Sequence, residues 1–256
     1  MLLFTDLDNT LIYSHRHATS DPVIWVETLN GRKQSYISER TYRFYRSQEF
    51  FKPVPLTTRR LSQYSRLADS FAVFGWEDAL ICNGSILLRN GVEDIEWTRE
   101  SLELSQKDRK EYNMLSDLIR KSVPSEELVS ADPFLFYVKT DDADHIYDYL
   151  SCHADPEHIS ILRNSRKVYC IPRSLNKGMA AERYRARFGY DEYIAVGDSE
   201  FDVPVLSMAD VCICPERIAG FISRGRKIVC SGMFSDQVCD SLEEIQNEFY
   251  RGITSD

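Results

Sequence analysis

The stretch Met1-Leu2-Leu3-Phe4-Thr5-Asp6-Leu7-Asp8-Asn9-Thr10-Leu11-Ile12 decides how the rest of the chain reads. An apolar run stops abruptly at two aspartates one residue apart. Met1 to Thr5 reads as a buried strand with Asp6 at its carboxyl end. In open α/β sheets, ligands bind beyond the carboxyl ends of the strands. Side chains two apart on an extended chain point to the same side, so Asp6 and Asp8 can share one site. Carboxylates so placed repel unless a cation or a proton comes between them. One could serve as nucleophile or metal ligand and the other as proton carrier. A charged surface turn is the competing reading, because Asp and Asn are common turn residues.

Working outward, the 256 residues suit one large domain or a core with an insert. With 43% hydrophobic and 28% charged residues, the composition is that of a globular chain. A net charge of −9 argues against non-specific nucleic-acid binding. It is compatible with a phosphorylated small molecule if a divalent cation or a local Lys or Arg meets the phosphate. The seven cysteines form no C-x-x-C pair, and most lie in apolar runs, as expected of free thiols in a reducing compartment. Cys212-x-Cys214 has the period of a strand and lacks the partner pair of a zinc site. No basic segment precedes the first apolar run, which is too short for a signal peptide, and no apolar stretch reaches about 18 residues. The expectation is a cytoplasmic protein without membrane or nucleic-acid partners, its oligomeric state left open.

Beyond Ile12 a polar stretch, 13–21, carries His15 and His17, a spacing that could hold a metal but lacks a third ligand. Val23–Glu27 and Lys33–Ile37 flank Asn30-Gly31, a strong hairpin signal, and predict a flap beside the site. Ser38 reads as the N-cap of a helix that Pro53 ends. Val54–Arg59 reads as a short strand, followed by a helix over about 60–68 and the apolar run Phe71–Phe74. Ala79–Cys82 is a further strand running into Asn83-Gly84.

From Ser85 to Pro172 the character changes. A hairpin over 86–97, helices over 105–122 and 142–152, and strands at 135–138, 158–163 and 168–171 make a block of α+β type. Alternation then returns: a helix over 174–188 containing Asn176-Lys177-Gly178, a strand Tyr193–Val196 ending in Gly197-Asp198-Ser199-Glu200-Phe201-Asp202, a helix 203–208, strands at 211–214 and 227–230, and a closing helix over 236–250. The fold class is therefore α/β, a Rossmann-like parallel-sheet core over 1–84 and 173–256 with an inserted α+β module over 85–172.

Four strand-end or helix-start signals stand out: Asp6 with Asp8, Thr57, Lys177, and Asp198 with Asp202. Thr57 could simply cap the next helix, and Asp198 could cap a turn. Lys177 is electrostatically misplaced at a helix N-terminus, which favours negative charge, and this points to a separate duty. Together they suit phosphoryl transfer, which needs a nucleophile, a proton carrier, a hard cation, and donors around the phosphoryl oxygens.

The same residues carry a resemblance. Asp6-Leu7-Asp8-Asn9-Thr10, Thr57 within Leu-Thr-Thr-Arg, Lys177 within Asn-Lys-Gly, and Gly197-Asp198-x-x-x-Asp202 resemble the four ordered motifs of the haloacid dehalogenase-like (HAD) phosphohydrolases. Ile81-Cys82-Asn83-Gly84-Ser85 resembles the segment before the large α+β cap of the Cof-type branch. The resemblance implies a magnesium-dependent phosphatase acting on a small phosphorylated metabolite, such as a sugar phosphate. Asp6 would form an aspartyl-phosphate, and Asp8 would protonate the leaving alcohol and then activate water. Thr57, Thr58 and Lys177 would hold phosphoryl oxygens. Asn83 and Arg59 would face the substrate. Mg²⁺ would be held by Asp6, the carbonyl of Asp8, and Asp198, with Asp202 in support. Asp8 is expected to be protonated, favoured by neighbouring Asp6 and by burial.

The pattern departs from the family at Asn9 and Thr58, where glycine is usual, and at Phe201, where Asn commonly stands. The segment holding the Asn30-Gly31 hairpin is also longer than expected. A phosphosugar mutase is the rival enzyme, and a ligand-binding regulatory protein of weak turnover is the rival outside enzymes. Arg163, Arg166, Lys167 and Tyr169 are candidates for an insert surface facing the site, against a solvated basic face.

Overall fold

The computed structural model describes the chain except residues 18, 20, 21, 125, 126, 132 and 254–256. Its strands are β1 (Leu2–Thr5), β2 (Tyr13–Ser14), β3 (Val23–Leu29), β4 (Arg32–Ser38), β5 (Lys52–Pro55), β6 (Asp78–Ile81), β7 (Ile86–Arg89), β8 (Val92–Glu93), β9 (Leu128–Ala131), β10 (Leu135–Lys139), β11 (Ile159–Asn164), β12 (Lys167–Pro172), β13 (Tyr193–Val196), β14 (Val211–Pro215) and β15 (Arg226–Cys230). A five-stranded parallel sheet runs β15-β14-β13-β1-β5. β1 lies inside it and all four of its residues are buried, which is why it reads as an unbroken apolar run. Leu3, Ile194 and Ile213 point to one face, under helices Glu39–Ser47 and Phe234–Ile253. Leu2, Phe4, Tyr193 and Cys212 point to the other, under helices Lys177–Phe188 and Val203–Met208.

The expected strand over 54–59 is instead Lys52–Pro55, and the helix before it stops at Ser47, well short of Pro53. Both prolines sit in β5, which ends the sheet. Lys52 and Leu56 donate their amides to Met1 and Thr5 of β1, so the alternate positions 53 and 55 need no ladder donor.

The Asn30-Gly31 hairpin forms as expected. Both residues have positive φ, 51° and 72°, and β3, β4 and β2 make a small antiparallel sheet. Ser38 caps the following helix, accepting from the Thr41 amide.

β7 and β8 form a hairpin on β6, but the expected hairpin over 86–97 stops at Glu93. Asp94 caps a helix, Ile95–Leu104, that the sequence reading did not anticipate. Its Trp97 is fully buried with Leu2, Phe4 and Leu87, and its indole donates to the Gly84 carbonyl at 3.0 Å. The remaining block is a four-stranded antiparallel sheet, β11-β12-β10-β9. Helices Arg109–Arg120 and Ala143–His153 cover one face. The other face carries Leu135, Tyr137, Tyr169 and Ile171, which pack with Phe201 of the core.

Candidate active site

Register brings the functional loops together. Thr5 pairs with Val196 on one side and Pro55 on the other, so Asp6, Gly197 and Leu56 leave the sheet at the same level. The Asp6 amide continues the ladder to the Val196 carbonyl at 2.9 Å. Thr57 and Asn83 are tied to one another by the Asn83 amide, which donates to the Thr57 carbonyl at 2.8 Å.

Lys177 opens its helix behind the N-cap Asn176, and its side chain is 1% exposed. Its ammonium donates to Asp6 Oδ1 and Asp202 Oδ1, both at 2.6 Å. This buried double ion pair explains a lysine at a helix start. The other Asp202 oxygen accepts from the Asp198 amide (3.1 Å), the Ser199 amide (3.0 Å) and the Ser199 hydroxyl (2.8 Å). Asp202 is thereby committed to holding the loop and Lys177. Gly197 is needed here, because a Cβ would lie 2.4 Å from Asp202 Cβ.

Asp6, Asp198 and Asp202 present carboxylate oxygens within 4.8 Å of one another, all buried. Burial pushes the Asp6 carboxyl well up, against the pull of Lys177, and the neighbouring aspartates add to the rise. Burial and the Asp202 charge push Asp198 up to about 6, with Arg217 and Lys177 opposing. The cluster is short of positive charge. Its donors are oxygens only, and among the described residues no hydrogen bond ends on the Asp8 carbonyl. That donor set fits a hard divalent cation.

Asp8 stands differently from the expectation. Arg59 grips it with two hydrogen bonds of 2.8 Å each. Burial pushes its carboxyl up, but the Arg59 hydrogen bonds and charge outweigh this and hold it below the ordinary carboxylate range. In this conformation Asp8 is a carboxylate, contrary to the protonated acid expected from its neighbours. Arg59 also pairs with the buried Glu27 of β3 at 3.0 Å, and Glu27 meets Arg66 at 2.7 Å and Ser35 at 2.6 Å. The flap is thus wired to the site through Arg59.

The hydroxyl of buried Thr57 accepts from the Arg59 amide at 3.2 Å and keeps its own proton to donate. Thr58 turns towards the Tyr169 hydroxyl of the insert. The Asn83 side chain donates to the Leu175 carbonyl at 2.8 Å, while its buried Oδ1 has no partner among the described residues. Arg163 and Arg166 do not face the site, being paired with Asp144 and Asp141 on the insert's own surface. Phe201 is buried against Tyr169, ring centroids 4.9 Å apart.

Three participants were missed in the sequence. Thr10, whose hydroxyl reaches Asp198 at 3.4 Å, was there to be read in the first motif. Glu27 and Arg217, the latter paired with Asp198, carry no local signal, because their partners lie far along the chain.

The parallel α/β core with its α+β block is a fold shared with solved structures described as HAD superfamily phosphatases. No family model and no curated protein matches the sequence. Solved structures do match in fold. The sucrose-phosphatase of Synechocystis sp. PCC6803 superposes with a TM-score of 0.65 at 16% identity, covering 96% of this chain and 98% of that one. The HAD subclass IIB sugar phosphatase BT4131 gives 0.64 at 11% identity, over 96% and 98% of the two chains. Thermoplasma acidophilum 0175 gives 0.64 at 15% identity, over 96% and 97%.

Proposed function

We propose that the protein is a magnesium-dependent phosphatase that hydrolyses a small phosphate monoester, with a sugar phosphate as the substrate class. The observation that carries this reading is the convergence of Asp6, Lys177, Asp198 and Asp202 on one buried point, with Asp8 two residues beyond. Asp6 Oδ1 is fixed by Lys177, which aims the carboxylate and leaves Oδ2 to attack phosphorus. As the Asp6–phosphorus bond forms, the bond to the ester oxygen breaks, and Asp8 delivers a proton to that oxygen. Water then attacks the aspartyl-phosphate, Asp8 takes its proton, and Asp6 is released. Before the first step Asp8 must leave Arg59 and gain a proton. Lys177 and the Thr57 hydroxyl hold phosphoryl oxygens, while the Thr58 backbone shapes the loop. Mg²⁺ would be held by Asp6, the Asp8 carbonyl and Asp198, with Asp202 buttressing them, and would supply charge that offsets repulsion between Asp6 and the phosphate dianion.

The core comprises 1–104 and 173–256 in this reading and the cap 105–172, because helix Ile95–Leu104 packs Trp97 into the core. This reading sets the boundary at 104, against the 85 expected from the sequence. No helix among the described residues is long and apolar enough to cross a membrane.

A panel of phosphate monoesters with added Mg²⁺, read as inorganic phosphate released, tests the proposal. Release that requires Mg²⁺ is the expected result. The Arg59 grip on Asp8 favours one alternative, a ligand-binding protein of weak turnover. Mg²⁺-dependent binding with no release across the panel would establish it instead.

A further inference from the structure

The cap sheet turns an unusual face to the core. Tyr137 and Lys139 of β10 lie opposite Tyr169 and Lys167 of β12, and alternation puts all four on the side away from the cap helices. The Tyr137 and Tyr169 rings lie tilted against one another, centroids 4.9 Å apart, and the Lys167 ammonium lies 5.2 Å from the Tyr137 ring centre. Lys139 and Lys167 are directly paired across the strands. Like charges so placed destabilise a sheet.

From the core, Arg60 reaches the same place. One guanidinium nitrogen donates to the Ser130 carbonyl of β9 at 3.5 Å, and its buried Nε has no partner among the described residues. Tyr169 packs on Phe201 of the 197–202 loop with ring centroids 4.9 Å apart, and Arg60 follows Arg59, which holds Asp8, so this face abuts the site.

Asp8 is held by Arg59, and Glu27 is shared by Arg59 and Arg66. Among the described residues, Arg60, Lys139 and Lys167 have no ion-pair partner. Three cations without an ion-pair partner among the described residues therefore gather on this face, in a chain whose net charge is −9. A neutral sugar gives them nothing to neutralise.

We infer that Lys167, Lys139 and Arg60 bind a second acidic group on the substrate, so that the ester carries a carboxylate or a second phosphate besides the phosphoryl group that is cleaved. This rests on the phosphatase reading and narrows it. The two tyrosine faces flank the acidic group and their hydroxyls can donate to it or to sugar hydroxyls. Lys167 is the specificity-determining residue, being the half-buried cation held against the Tyr137 ring.

The test is calorimetric binding to the full-length Asp6→Asn protein with Mg²⁺. The probes are glucose 6-phosphate, 3-phosphoglycerate and fructose 1,6-bisphosphate. At least one of the two acidic esters should bind about tenfold or more tightly than glucose 6-phosphate, as a charge-assisted contact predicts. Preference for 3-phosphoglycerate assigns a carboxylate, and preference for the bisphosphate assigns a second phosphate. Lys167→Gln and Arg60→Gln, each added to Asp6→Asn, should narrow the preference to about threefold or less. Should either variant fold poorly, the preference in the parent protein should shrink as salt is raised from low to physiological strength. Glucose 6-phosphate binding as tightly as both acidic esters, or a preference indifferent to Lys167 and to salt, overturns the inference. The phosphatase reading fails by a different sign, absence of Mg²⁺-dependent phosphate release by the unsubstituted protein from every ester, simple aryl phosphates included.

Discussion

Lys177 sets the electrostatics of the cluster. Its ammonium is held well above its usual range by Asp202 and Asp6, against the opposing effect of burial. Replacing it with Met would leave two buried carboxylates without their counter-charge. Breaking a buried pair by removing one partner costs about 3–5 kcal/mol. Lys177→Met should therefore lower stability by that order in urea unfolding and also lose phosphate release. Unchanged stability would show that Asp6 and Asp202 shed their charge without help.

Legibility at this scale followed chemistry. Asp6, Lys177 and Asp198 sit at chain positions where a strand ends or a helix begins, and their residue types are odd there unless they act together. Glu27 was invisible because its partners are 32 and 39 residues away and only the folded flap brings them close. The protonation of Asp8 was misread for the same reason. The sequence shows Asp6 next to it, but not that Arg59 folds back onto it.

Among elements, the flap and the cap connection each allow a prediction. Glu27 is buried in β3 between two guanidinium groups. Glu27→Gln keeps the shape but removes the charge that Arg59 and Arg66 share. It should destabilise the protein by about 1–3 kcal/mol, as for a buried charge-assisted hydrogen bond, and increase hydrogen exchange across β3 and β4. Wild-type exchange rates there would contradict the coupling of flap to site.

The connection back to the core is pinned by Asp108, which accepts from the Ser174 amide at 3.0 Å and its hydroxyl at 2.5 Å. His158 meets its other oxygen at 3.0 Å. That hydrogen bond raises the His158 pKa above 6.5 in the folded state. Its stabilising contribution is then fully present below about 6.5 and is lost as pH rises through the folded value. For Asp108, burial works upward but the Ser174 and His158 hydrogen bonds win and depress it below 3.8. That contribution is present above the unfolded value and disappears as pH falls through the folded one. Melting temperature should accordingly decline from pH 6.5 upward in the wild type, and His158→Gln should flatten that slope. An equal slope in both proteins would remove His158 from the account.

Elements were legible where local rules acted alone. The Asn30-Gly31 turn and the Ser38 cap depend on a few adjacent residues, and both were readable. The first three residues of the helix Ile95–Leu104 fall in the hairpin expected over 86–97, because Ile95 and Trp97 alternate with polar residues. The Asp94 cap was the signal that outweighed that alternation. Pro53 reads as a helix breaker because nothing local says that β5 is an edge strand. β9 (Leu128–Ala131) was not anticipated, since a strand of four half-buried residues has no strong apolar pattern.

For the molecule as a whole, the contact between core and cap is what sequence conveys least. Phe201 stands where the family resemblance leads one to expect Asn. In the structure it joins Leu135, Tyr137, Tyr169 and Ile171 of the cap sheet, so its apolar character serves the cap–core junction. Phe201→Asn should weaken that junction by about 1–3 kcal/mol, from lost apolar burial and the aromatic pair. Faster hydrogen exchange in β10 and β12, with helices on the far side of the core unaffected, is the expected signature. Unchanged exchange would mean the cap is held by other contacts.

The central claim is that Asp6 attacks phosphorus. Its most direct measurement is the rate of phosphate release from an aryl phosphate with saturating Mg²⁺, for the wild type and for Asp6→Asn. The amide preserves size and removes the nucleophile, so release should fall by about a thousandfold or more while the thermal transition remains cooperative. A folded Asp6→Asn protein that releases phosphate at the wild-type rate would contradict it.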